Sequence, residues 1–190
     1  MESLNIEVNR ALEVIQNGGV ILYPTDTVWG LGCDASNEEA VSKIFKIKER
    51  IESKSLVMLL PDIKSVFKYV AHPYPDLEGL LGSFDRPTTV IYQQALGIAG
   101  NALPEDESVA IRIVKEPFCK MLLRRMNAPL ISTSANISGQ PTPKTFREID
   151  AEVKARVDYI VGYRQDDLGI ASPSRIIKLD EQGNIIIIRE

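Results

Sequence analysis

The sequence specifies an α/β domain on a mixed parallel and antiparallel sheet, and three observations predict it. Short β-rich runs recur between amphipathic stretches, without a strict strand-helix alternation. The apolar run Leu56-Val57-Met58-Leu59-Leu60, ended by Pro61, suits a strand buried on both faces, as parallel strands are. The last two strand candidates flank Asp180-Glu181-Gln182-Gly183, which suits a hairpin and therefore an antiparallel pair.

The first segment places Val8, Ala11, Leu12 and Ile15 on one helical face, and Gly18-Gly19 stops it. Val20-Ile21-Leu22-Tyr23 is a strand cut off by Pro24. Residues 37–49 form a second helix: Asn37 is its N-cap, Glu38 and Glu39 follow, and Val41, Ile44, Phe45 and Lys48 carry the period. Further strands are expected over 88–92, 109–114, 130–132, 159–161, 175–179 and 184–189, and helices near 62–69, 75–82, 116–126 and 145–155. The 190 residues fit one domain over 1–190 with no second domain, since neither an internal repeat nor a linker-like composition shift interrupts them.

Composition narrows the function classes. Hydrophobic residues make up 44% and charged residues 25%, the balance of a soluble globular protein. The N-terminus has no basic region followed by an apolar one, and no apolar run spans a bilayer, so a cytoplasmic protein without a membrane partner is expected. Net charge is −4, which argues against a global grip on a nucleic-acid backbone; phosphates must be met by a few positioned cations. Cys33 and Cys119 stand far apart without a CxxC partner, as two reduced thiols would. His72 is the one histidine and lies in the proline-bounded loop Ala-His-Pro-Tyr-Pro; it is read as a surface or packing residue, and no protein-held metal is expected.

Neither a GxxxxGK[ST] loop nor a GxGxxG after a strand occurs. What remains is four segments rich in hydroxyl groups and separated cations. The first is Tyr23-Pro24-Thr25-Asp26-Thr27-Val28-Trp29-Gly30-Leu31-Gly32, where alternation puts Thr25 and Thr27 on one face and Asp26 on the other. The second, Lys46-Ile47-Lys48-Glu49-Arg50 with Lys54 beyond it, serves equally as a solvated helix end or as a phosphate clamp. The third is Pro129-Leu130-Ile131-Ser132-Thr133-Ser134-Ala135-Asn136-Ile137-Ser138-Gly139, an apolar strand end running into short side chains that bind polar ligand atoms or cap turns. The fourth is Ala171-Ser172-Pro173-Ser174-Arg175.

Taken together in this order, over about residues 8–189, these segments resemble the YrdC-like family of threonylcarbamoyl-AMP synthases. The Tyr-Pro-Thr-Asp-Thr-Val-Trp-Gly-Leu-Gly run looks like the family signature, with Trp29 where Tyr or Phe is usual. Lys48-Glu49-Arg50 matches its KxR motif, Ser134-Ala135-Asn136 its SxN motif, and Ala110-Ile111-Arg112 its arginine-bearing strand. Phe84-Asp85-Arg86-Pro87 departs from the usual W-P-G-P, Ile51 follows KxR where proline is common, and Pro173-Ser174-Arg175 departs from P-S-T, so Arg86 and Arg175 are added cations. A paralogous branch of the fold lacks intact KxR and SxN; retention of both favours the synthase branch.

The resemblance implies a twisted open mixed sheet with a large positive cavity on one face. It implies that L-threonine, bicarbonate and ATP yield threonylcarbamoyl-adenylate and pyrophosphate, with Mg2+ held through the ATP phosphates, and that downstream tRNA-modifying proteins receive the product. It implies that Lys48 and Arg50 are the catalytic cations and also bind ATP, with Ser108, Ser134, Asn136, Thr142 and Arg189, and with Lys54 as a further phosphate contact. Thr25, Arg112, Ser132 and Ser174 would surround threonine. Two alternatives stay open at this point: an RNA-binding module of the same fold, with tRNA held weakly, and a paralogue using another amine or nucleotide.

Overall fold

The computed structural model describes residues 2–49, 56–169, 172–180 and 184–190. Nine strands form one sheet: β1 (Ile21–Tyr23), β2 (Gly30–Asp34), β3 (Val57–Leu60), β4 (Thr88–Tyr92), β5 (Val109–Ile113), β6 (Leu130–Ser134), β7 (Tyr159–Ile160), β8 (Arg175–Leu179) and β9 (Ile185–Arg189). They lie in the order β7-β1-β2-β6-β3-β5-β4-β8-β9. The β1/β7, β3/β5 and β4/β8 pairs are parallel and the other five antiparallel, so the expected mixed sheet is present. The β8/β9 pair is antiparallel as anticipated, although residues 181–183 of the turn lie outside the described residues.

Two hydrophobic layers follow from strand alternation. On one face Leu22, Leu31, Met58, Ile111, Val90 and Ile131 pack against α2 (Glu38–Ile47), which contributes Ala40, Val41, Ile44, Phe45 and Ile47. On the other face Ile21, Tyr23, Leu59 and Leu130 meet α1 (Glu2–Gln16) through Val8, Ala11 and Ile15, and α4 (Pro117–Met126) through Phe118, Cys119, Leu122 and Leu123. Each fully buried aliphatic side chain contributes about 1.5–3 kcal/mol. α1 and α4 cover only part of this second face. The uncovered part, where Arg112, Ser132 and Thr89 replace aliphatic side chains, becomes the site.

Helix ends follow their sequence signals. Asn37 caps α2 by accepting the Ala40 N–H at 3.0 Å. Glu116 caps α4 through the Cys119 N–H at 2.9 Å, Pro117 opens the helix, and Asn127 closes it in the left-handed region at φ 51°. A short α3 (Leu77–Gly82) lies where a helix was expected.

Three elements differ from expectation. The segment near 62–69 is a 3-10 helix, Ile63–Lys68, capped by Asp62, because so short a run favours the tighter turn. The expected helix 145–155 is split into a 3-10 turn, Phe146–Glu148, and α5 (Ala151–Ala155), since the Asp150 side chain accepts the Glu152 N–H and starts a new helix. Gly30–Asp34 forms a strand inside the sheet, where no strand was expected.

Candidate active site

A cavity of about 250 Å3 opens on the uncovered sheet face, lined by Thr25, Thr27, Trp29, Gly30, Val57, Arg112, Ser132, Thr133, Ser134, Thr142, Ser174 and Arg189 among others. All four sequence segments were expected to contribute; the first, third and fourth line it directly. Ser132, Thr133 and Ser134 do so from within β6, not from a loop after it, because β6 continues to Ser134 beside Gly30 of β2.

Arg112 is buried in β5, and among the described residues its guanidinium meets one carboxylate, with Nη2 3.4 Å from Asp26 Oδ1. The other Asp26 oxygen accepts the Lys115 N–H at 3.1 Å, and Arg112 Nε makes no hydrogen bond among the described residues. One edge of the Arg112 guanidinium thus faces Asp26 while the side chain lines the cavity. Arg189 also reaches the cavity, anchored by Nε and Nη2 donating to the Ser174 carbonyl at 3.2 and 2.7 Å. Burial, and then the nearby Arg112 charge, push the Arg189 guanidinium below its ordinary value. Among the described residues the lining holds two cations and many hydroxyls and no carboxylate, which makes a receptacle for an anion.

The hydroxyls have fixed polarity. Thr25 Oγ1 donates to the Val28 carbonyl at 2.8 Å and accepts the Thr27 N–H at 2.9 Å. Its single proton is therefore spent, so Thr27 Oγ1, 2.9 Å away, must donate to it and turn its lone pairs outward. Thr27, rather than Thr25, offers an acceptor to a ligand; only the alternation of Thr25 and Thr27 hinted at it. Ser174 Oγ lies 2.8 Å from Thr89 Oγ1. Trp29 packs its ring 4.8 Å from that of Phe146 and forms part of the wall.

Lys48 is not a solvated helix-end cation. It is 3% exposed, and its Nζ donates to the carbonyls of Ser134 at 2.6 Å and Asn136 at 2.7 Å, while its own carbonyl accepts the Ser138 N–H at 2.9 Å. Arg50 and Lys54 lie outside the described residues. Asn136 faces a neighbouring cavity of about 320 Å3, shared with Gln140, Pro141, Thr142, Glu148 and Asp150; its Nδ2 donates to Ile137 and Gln140 carbonyls, and its buried Oδ1 has no partner among the described residues. Thr142 borders both cavities. Ser108 is not brought to either of them: it sits buried at the start of β5, four residues before Arg112 and about 13 Å along the strand.

The added cations have structural partners. Arg175 lies over the Phe84 ring, 5.0 Å from its centre, and Arg86 pairs with Glu190. Cys33 and Cys119 are buried free thiols, and His72 is exposed. Among the described residues no cluster of three or more His, Cys, Asp or Glu could hold a metal, and no helix is long and apolar enough to cross a membrane.

A sequence model of the Sua5/YciO/YrdC family, described as "Telomere recombination", matches residues 13–190. The chain belongs to the Sua5/YciO/YrdC family. Among relatives in this family, a threonylcarbamoyl-AMP synthase of Stenotrophomonas maltophilia is 31% identical over 173 residues, covering 90% of this chain and 93% of that protein. A putative threonylcarbamoyl-AMP synthase of Methanocaldococcus jannaschii is 36% identical over 181 residues, covering 93% and 81%. The fold matches P. abyssi Sua5 complexed with L-threonine at a TM-score of 0.81 and 24% identity, over 96% of this chain and 53% of that one. This chain therefore spans about half the length of that Sua5, and at such identity the likeness is one of fold. The Sua5/YciO/YrdC sheet thus carries here a polar cavity on the face that α1 and α4 leave partly uncovered, with the α2 layer packed on the opposite face.

Proposed function

We propose that this protein is an L-threonylcarbamoyladenylate synthase, acting in the cytoplasm and passing its product to tRNA-modifying proteins. The observation that carries the reading is that Arg112 and Arg189 share one hydroxyl-lined cavity with no carboxylate among its described lining residues. The names of the relatives and the threonine bound to P. abyssi Sua5 support the substrate.

In this reading the threonine nitrogen bonds to the bicarbonate carbon with loss of water. One oxygen of the resulting carbamate then attacks the α-phosphorus of ATP, and the bond to the bridging oxygen breaks as pyrophosphate leaves. Such a transfer needs positioning and charge neutralisation more than a protein acid or base. Arg112 has the planar fork to hold the threonine carboxylate. Ser132, Ser174 and the Thr25–Thr27 pair surround the rest of the amino acid. Ser134, Asn136 and Thr142 hold the nucleotide, with Arg189 between the two ligands, and Lys48 fastens the segment bearing Ser134 and Asn136. Arg50 supplies the second cation of the KxR motif. Mg2+ bound to the polyphosphate would supply charge neutralisation, and among the described lining residues no carboxylate would hold it independently.

The lability of an N-carboxylated amine explains the value of a recessed site. Incubation with ATP, threonine and isotopically labelled bicarbonate, followed by mass spectrometry, tests the reading. A threonine-bearing adenylate that carries the label is expected. An unlabelled adenylate, or AMP without any adduct, rejects it.

A further inference from the structure

Below the cavity lies a side chain that does not line it. Tyr23, fully buried in β1, reaches across β2 to β6, where its hydroxyl donates to Ser132 Oγ at 2.6 Å. The reach depends on two glycines. A Cβ on Gly32 would stand 2.7 Å from the Tyr23 ring, and one on Gly30 would stand 3.1 Å from Ser132 Oγ and 3.4 Å from the ring. Both glycines face Tyr23 because the register sets Gly30 beside Tyr23 and Gly32 beside Ser132.

The phenol has one proton to give, and burial, as the first cause, raises it well above its ordinary value, so it stays protonated. Ser132 Oγ accepts that proton with one lone pair. Among the described residues no acceptor lies within hydrogen-bond distance of the Ser132 proton, while Ser132 itself borders the cavity. A hydroxyl that accepts from behind turns its own proton forward.

We infer that Tyr23 is a positioning residue that fixes Ser132 as a hydrogen-bond donor into the cavity, so that the site selects a carboxylate or carbonyl oxygen at that point. Thr27 presents the opposite polarity across the same space, since the Thr25 hydroxyl consumes its proton. A ligand with an acceptor end and an N–H end, as an amino acid has, matches the two. The inference rests on the proposed threonine site and deepens it.

The test is a double-mutant cycle on the full chain, with L-threonine binding measured by calorimetry in the wild type, Tyr23→Phe, Ser132→Ala and the double variant. Tyr23→Phe keeps the buried ring, including its contact with Phe118 at 6.3 Å, and circular dichroism checks the fold. Tyr23→Phe is expected to weaken threonine binding about fivefold, the worth of one neutral hydrogen bond, with ATP binding unchanged. In the Ser132→Ala background the same substitution should cost nothing further, a coupling that a packing role for Tyr23 does not produce. If the wild type binds threonine and Tyr23→Phe binds it equally well, or if the two effects simply multiply, the inference falls alone. If the wild type binds no threonine, the proposed function falls and takes the inference with it.

Discussion

The Lys48 ammonium donates to the main-chain carbonyl of Ser134 at 2.6 Å, tying the end of α2 to the strand that supplies the cavity wall. Asn136 receives a second bond from the same nitrogen at 2.7 Å. A cation that the sequence leaves open between a solvated helix end and a phosphate clamp is a buried clasp on two main-chain carbonyls. Its loss opens two carbonyls and loosens the SxN segment, so structure and activity fall together.

Lys48→Ala is therefore expected to cost about 1.5–3 kcal/mol of stability, the range for hydrogen bonds to a charged group. It should also raise the reaction barrier by about 2–4 kcal/mol through misplacement of nucleotide-binding groups. The thermal midpoint and the rate of adenylate formation check both. A midpoint equal to the wild type contradicts the clasp, and an unchanged rate contradicts its role in the site.

Arg112→Lys keeps the charge but loses the planar fork shared between the cavity and Asp26. The threonine KM should rise at least tenfold, about 1.4 kcal/mol, with a smaller change in the ATP KM. Steady-state kinetics with each substrate varied in turn provide the check. Equal changes in both constants place Arg112 on the phosphates instead.

Glu116 gives a pH-dependent outcome. Its carboxyl is pushed above its ordinary value, chiefly by burial, against the opposing pull of the Cys119 N–H and Arg164. The folded state therefore holds the proton more tightly than the unfolded chain. Stability that Glu116 contributes when protonated is present below its unfolded pKa and is lost as pH rises through the folded one. Glu116→Gln, which can still cap α4, should be more stable than wild type at neutral pH, with the difference vanishing toward pH 4. Urea midpoints across that window measure it; a constant difference contradicts the burial argument.

How far the sequence foretold these features depends on whether a signal was local. α2 was legible because its cap at Asn37 and its apolar period lie within twelve residues. β2 was not, because Gly30-Leu31-Gly32 has little strand propensity of its own; pairing with β1 on one side and β6 on the other imposes the conformation. The split at Asp150 was hidden in the same way, since Asp serves a helix surface or a cap equally well until its partner is known. In the site, clustered hydroxyls marked three of the four contributing segments. The partners that orient them, Tyr23 for Ser132 and Asp26 for Arg112, act across distances of 109 and 86 positions in the chain, which motif spacing does not reveal. Ser108 is the reverse case: the resemblance suggested it by position alone, while its place just before β5 keeps it out of the linings of both cavities.

If threonine and ATP occupy the two cavities that Thr142 borders, as proposed, their binding should be coupled, and the coupling must be reciprocal. Threonine is expected to bind at least fivefold more tightly when a non-hydrolysable ATP analogue and Mg2+ are present, a coupling of about 1 kcal/mol. Calorimetry with and without the analogue measures it. Identical affinities contradict adjoining ligand sites. RNA should bind weakly at physiological salt, given the net charge of −4, and tight salt-sensitive binding would favour the RNA-module alternative.

Pyrophosphate release from ATP, measured with threonine and bicarbonate each present or withheld, bears most directly on the assignment of the reaction. Release is expected only when both are supplied, and serine in place of threonine should support it poorly. Release that persists without threonine or bicarbonate, or that another amino acid drives as well, contradicts a threonylcarbamoyl-adenylate synthase.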